Sequence, residues 1–127
     1  MMQRRGTEAS QRYEARRQRE DESPRLQAEV PALESLKLEI EERRGDARNP
    51  ETTYIRRIVV PSAPALFALM CGERDCEDGG HDITYPIMAS LRRGQTTFEG
   101  EDVCHGSVRT TTCGRVLHYK ATATYRS

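Results

Sequence analysis

Apolar residues are spread unevenly along this chain, and their spacing changes from one stretch to the next. Residues 1–25, MMQRRGTEASQRYEARRQREDESPR, contain almost none, and Arg and Glu alternate there in blocks. Such a segment buries too little surface to offset its ordering entropy. It predicts a disordered, charged arm over 1–32, transiently helical around Tyr13 to Gln18, ahead of one domain at 33–127. Residues 33–44, LESLKLEIEERR, carry two periods at once. Leu36, Leu38 and Ile40 alternate with Lys37, Glu39 and Glu41, which is the period of a strand. Leu33, Leu36 and Ile40 also fit a helical stripe, and Glu, Leu and Lys favour helix. The next fifteen or so residues decide between the two. Gly45, Asp46, Asn49 and Pro50 make a turn-rich stretch, and Tyr54 to Val60 is β-branched and aromatic. The pair predicts a hairpin with strands near 35–43 and 52–60.

Pro61 and Pro64 interrupt the pattern. The apolar run 65–70, ALFALM, predicts a short strand that delivers Cys71 at its end. Residues 82–93, DITYPIMASLRR, predict the clearest helix. Pro86 belongs in a first turn, which favours Thr84 over Asp82 as the cap. Ile87, Met88 and Leu91 supply its apolar face, and Arg92, Arg93 and Gly94 its C-terminus. A strand from Thr96 towards Cys104 and a polar loop over 105–112 come next. Residues 114–125 then alternate, with Leu117, Tyr119, Ala121, Ala123 and Tyr125 on the more apolar face. The sum is an α+β fold: a small antiparallel sheet of four or five strands with one helix.

Composition alters this picture in two ways. Of 127 residues 35% are hydrophobic, so the core is modest and gains from an extra staple. Lys+Arg and Asp+Glu are both 20, so the chain lacks the overall basic charge of a sequence-independent nucleic-acid binder. No apolar run has membrane-spanning length, and no apolar stretch comes after the N-terminal arginines as in a secretory signal. The expected setting is cytoplasmic, where cysteines stay reduced and hold metals more often than disulfides.

All four cysteines lie between residues 71 and 113, as Cys71-x4-Cys76 and Cys104-x8-Cys113. Two separated pairs of thiolates suit one tetrahedral ion, and zinc is the expected one. Glycines flank both pairs, and both are expected at strand ends, where two loops can converge. His81 is an alternate ligand, while His118 alternates onto a polar strand face. The arrangement resembles the general zinc-ribbon plan over about residues 65–120, with longer spacings than C-x2-C and a helix between the pairs. No reaction signature is present: no P-loop, no G-x-G-x-x-G, no H-E-x-x-H and no C-x-x-C.

These observations predict a zinc-stabilised, non-catalytic module, with a metal knuckle over 71–113, that binds another protein. Homodimerisation through a sheet edge is compatible with it. Two alternatives come from other classes. Arg56, Arg57, Arg92, Arg93, Arg109 and Arg115 could form a local basic patch, with Tyr54, Tyr119 and Tyr125 stacking on bases, as a nucleic-acid-binding zinc module requires. Glu77 or Asp78 could serve as general base beside a metal-bound water in a hydrolase.

Overall fold

A computed structural model describes the backbone of residues 4–127 and the side chains of residues 11 and 13–127. Its centre is strand β1, Leu33–Arg43. Leu36, Leu38, Ile40 and Glu42 share its inner face, and the residues between them are charged. The odd spacing from Leu33 to Leu36, which also suits a helix, is absorbed by a bulge: Leu33 pairs with Tyr125 and Ser35 with Thr124. β1 therefore keeps both leucines inside while remaining a strand.

β1 lies between β2 (Thr52–Ile58) and β9 (Val116–Tyr125), and β6 (Thr97–Val103) closes the far side. The four form an antiparallel sheet in the order β2-β1-β9-β6. In β9, Leu117, Tyr119, Ala121 and Ala123 face inwards, as its alternation predicts. The small Ala121 and Ala123 sit opposite the larger Leu38 and Leu36. One sheet face is buried and the other carries Lys37, Glu39, Glu41, Glu99 and Lys120.

Helix α3, Thr84–Arg92, covers the buried face with Ile87, Met88 and Leu91. Its end is a Schellman motif: the Gly94 N–H donates to the Leu91 carbonyl and the Gln95 N–H to that of Ser90, with Gly94 at φ 73°. Its start corrects the expected cap. The helix begins at Thr84 rather than after it, and the Asp82 carboxylate accepts the Thr84 N–H. The Thr84 hydroxyl instead accepts the Phe67 N–H at 2.7 Å. Pro86 still falls in the first turn, where no donor is needed.

Of the expected arm, residues 1–3 lie outside the described residues, and Arg4–Glu22 is helix α1. Arg16 with Glu20 and Gln18 with Glu22 pair at i,i+4 along it. No described apolar side chain of α1 is buried. Further along, Leu26 is fully buried and Val30 joins the core, so residues 26–30 pack with the body. A short helix α2, Leu26–Glu29, carries Leu26, and the chain there is tied to 63–65 by backbone bonds from Leu26 to Ala63 and from Ala65 to Pro24.

Two small sheets lie beside the main one. β3 (Ala68–Leu69) pairs with β5 (His81–Asp82). β4 (Cys76–Glu77) pairs with β7 (Ser107–Val108), which pairs with β8 (Thr111–Thr112). The expected 65–70 strand is thus shorter, since the Phe67 N–H bonds to Thr84 rather than to a strand. The expected 105–112 loop is a hairpin turning at Arg109, whose φ is 60°. No described helix is long and apolar enough to cross a membrane.

Candidate metal centre

The β3–β5 hairpin is closed by the loop 70–80, which carries Cys71 and Cys76. Cys104 comes directly after β6 and Cys113 directly after β8. Backbone bonds lock the second loop: the Cys104 N–H donates to Arg115, Gly114 to Cys104, and Cys113 to Gly106. Each cysteine therefore sits at or beside a strand end, as its spacing predicts.

The structure brings all four thiols together, with sulfurs within 4.8 Å of one another. Cys71 Sγ lies 3.7 Å from Cys113 Sγ, and Cys76 Sγ 3.6 Å from Cys104 Sγ. The close pairs join the two loops rather than the two members of one loop. Four sulfurs about 2.3 Å from a central zinc have edges of about 3.8 Å, so these distances fit a tetrahedral shell. They are far beyond a sulfur–sulfur bond of about 2.0 Å, and the cysteines are free. The group could hold a metal ion.

Backbone donors point at the sulfurs. The Glu73 N–H reaches Cys71 at 3.4 Å, Gly80 reaches Cys104 at 3.4 Å, and Gly106 reaches Cys104 at 3.5 Å. A Cβ at Gly79 would collide with the sulfurs of Cys76 and Cys104, and one at Gly106 would stand 2.6 Å from Cys76 Sγ. The glycines are what let the backbone approach this closely.

These contacts split the thiols. Burial pushes the Cys71 thiol up, and burial together with Cys104 pushes Cys76 up to about 11. Burial acts the same way on Cys104, but the Gly106 and Gly80 N–H groups outweigh it and hold that thiol below its ordinary value. Cys104 presents a thiolate more readily than Cys71 or Cys76, and a cation would have to displace protons from those two.

His81 departs from its expected role as an alternate ligand. Its ring is fully buried, Nδ1 faces Asp102 Oδ2 at 2.9 Å, and Nε2 faces Glu42 Oε2 at 3.1 Å. Both nitrogens are taken by carboxylates, which removes His81 from the thiolate shell. Glu42, Cys71 and His81 also cluster within 4.8 Å. There Glu42 already accepts from the Arg115 guanidinium, which disfavours a second cation. His105 is exposed, and His118 pairs with Glu99 on the open sheet face.

The arginines are dispersed. Arg56 and Arg57 point to opposite faces of β2, Arg92 and Arg93 end α3, and Arg109 sits in the β7–β8 turn. Arg92 pairs with Glu29. Arg115 corrects the patch outright: it is buried, donating from Nε to Glu42 at 2.8 Å and from Nη1 to Glu51 at 3.1 Å. Tyr119 is likewise core and offers no stacking face, while Tyr125 is half-buried with its hydroxyl donating to the Gln95 carbonyl.

Sequence reasoning missed Glu42, Asp102 and the buried role of Arg115. The signal for Glu42 was its parity: it continues the inward row of Leu36, Leu38 and Ile40. No protein family, no curated protein and no solved structure matches the chain.

Proposed function

We propose that this chain is a small, non-catalytic interaction module that binds another protein and is stabilised by one structural zinc ion. The observation that carries this reading is the shell of four sulfurs at tetrahedral spacing. An all-sulfur set suits zinc among the common ions. Four protein ligands leave no open position for water, the mark of a structural rather than a hydrolytic site. A reducing compartment such as the cytoplasm suits it, since only reduced thiols bind.

A groove of about 590 Å³ supports the protein-binding part. It runs beside the metal loops, between α1 and Leu69, Met70 and Val103. Met70 is 72% and Val103 42% exposed, apolar surface of the kind protein partners cover. The nucleic-acid reading is weaker, because Arg115 is committed to two carboxylates and the other arginines lie on separate elements. Self-association through the β2 edge is weaker too: Arg56 faces the core side there, and an inward charge opposes edge pairing.

Native mass spectrometry before and after chelation tests the reading. One zinc per chain is expected, and its removal should lower the melting temperature and speed amide exchange in 70–80 and 104–115. Metal-free protein with unchanged melting after chelator would overturn the structural ion.

A further inference from the structure

Within themselves the loops that carry the thiols are held by short ladders and a few backbone bonds. β4, β7 and β8 are two residues each. Behind these loops lies a buried carboxylate that is not itself one of the four ligands. Glu42 reaches in from β1 with its side chain 4% exposed. A carboxylate so placed destabilises the fold unless its oxygens accept hydrogen bonds from charged or backbone donors. Both do. Oε1 accepts from Arg115 Nε at 2.8 Å, and Oε2 accepts from the Gly72 N–H at 3.0 Å and faces His81 Nε2 at 3.1 Å.

These donors are not scattered through the fold. Gly72 is next to Cys71, and Arg115 comes two residues after Cys113. Cys71 and Cys113 are the pair whose sulfurs stand 3.7 Å apart. One carboxylate therefore grips both loops that must meet. Its third partner extends the grip. His81 is next to Gly80, whose N–H donates to Cys104 Sγ, and its other nitrogen faces Asp102, two residues before Cys104. The packing is close enough that a Cβ at Gly72 would collide with Glu42 Oε1.

We infer that Glu42 is the positioning residue of the metal centre, fixing Cys71 and Cys113 at the spacing of a tetrahedral edge before any ion arrives. The inference rests on the proposed metal site. Residues that orient ligands from outside the shell change metal retention about 10- to 100-fold when lost. Arg115 supplies the positive charge that makes a carboxylate tolerable so near four thiolates. A glutamine at 42 has one acceptor and a donor where an acceptor is needed, so it leaves at least one of the three partners unmatched.

The test is the rate at which zinc-loaded protein gives up its ion to excess chromogenic chelator, with Glu42→Gln compared to Glu41→Gln on the open face. Glu42→Gln should release zinc at least about 10-fold faster, and Glu41→Gln at the wild-type rate. Cobalt-substituted Glu42→Gln should also show a shifted d–d absorption band. Leu38→Ala, a core truncation, should lower melting without moving that band. Should Glu42→Gln not fold, Glu42→Asp keeps the charge while drawing the carboxylate back by one methylene, and the same acceleration is expected. Wild-type release and an unshifted band in the folded variant would overturn the role of Glu42 alone. A wild-type protein that takes up no metal would overturn the metal site and this inference with it.

Discussion

Among single residues, the glycines of the metal loops are limited by space. Gly79 and Gly106 let two backbones press against sulfurs, and neither position has room for a methyl group. Gly79→Ala should therefore abolish stoichiometric cobalt binding, monitored as the loss of thiolate-to-metal charge-transfer absorption. Gly106→Ala meets backbone as well as sulfur, with Glu77 O at 2.6 Å and Gly79 Cα at 2.6 Å. Overpacking of this kind typically costs about 1–3 kcal/mol, which chemical denaturation of the zinc-loaded protein would read. The glycines are visible beside the cysteines in the sequence. Which sulfurs they meet is not, because that depends on the second loop folding back onto the first.

Two elements, α1 and α2, behave differently although both precede the expected domain. α1 touches the body through Arg19, which donates to Asp82 at 2.6 Å, and through Arg16, which donates to the Ala68 carbonyl at 3.4 Å. Both partners lie on the β3–β5 hairpin that the metal loop closes. An exposed ion pair of this sort stabilises by about 1 kcal/mol or less. Deleting residues 1–22 should leave the melting temperature nearly unchanged. Leu26→Ala, only four residues further on, should cost about 2–5 kcal/mol, because Leu26 is fully enclosed by the core. Burial works against the Asp82 carboxylate, but its bonds from Thr84 and Arg19 outweigh that and hold it below the usual carboxylate range. Its contribution is present above the unfolded value of 3.8 and fades as the pH falls through the folded value. A composition of Arg and Glu conceals this contrast, since only Ser23, Pro24 and Arg25 separate the tethered helix from the buried Leu26.

For the whole molecule, the thiols should give the metal-free protein and the proposed metal-loaded form opposite responses to pH. In the metal-free fold Cys76 rises from 9.0 to about 11, and Cys71 is raised as well. The folded state then holds these protons more tightly than the unfolded chain. Their contribution is complete below about pH 9 and is lost as the pH climbs through about 11. Cys104, shifted down, opposes them in part. The loaded form needs thiolates, so acid should expel the ion while alkali leaves it bound. Melting curves of both forms across pH would check this, and parallel slopes would contradict it.

Local period and turn chemistry were enough for part of this protein. The hairpin of β1 and β2, the inward face of β9, the C-terminus of α3 and the pairing of the cysteines around one site could be read from period, turn residues and cysteine spacing together. The sheet order, the burial of Leu26, the two small sheets and the carboxylates around His81 emerged only in three dimensions. The physical reason is the same in each case. Periodicity says which side of an element avoids water, but not which element it meets. Glu42 and Arg115 read as surface charges because charged residues are rarely buried. They are inside because each found the other, and that pairing spans most of the distance from the first strand to the last.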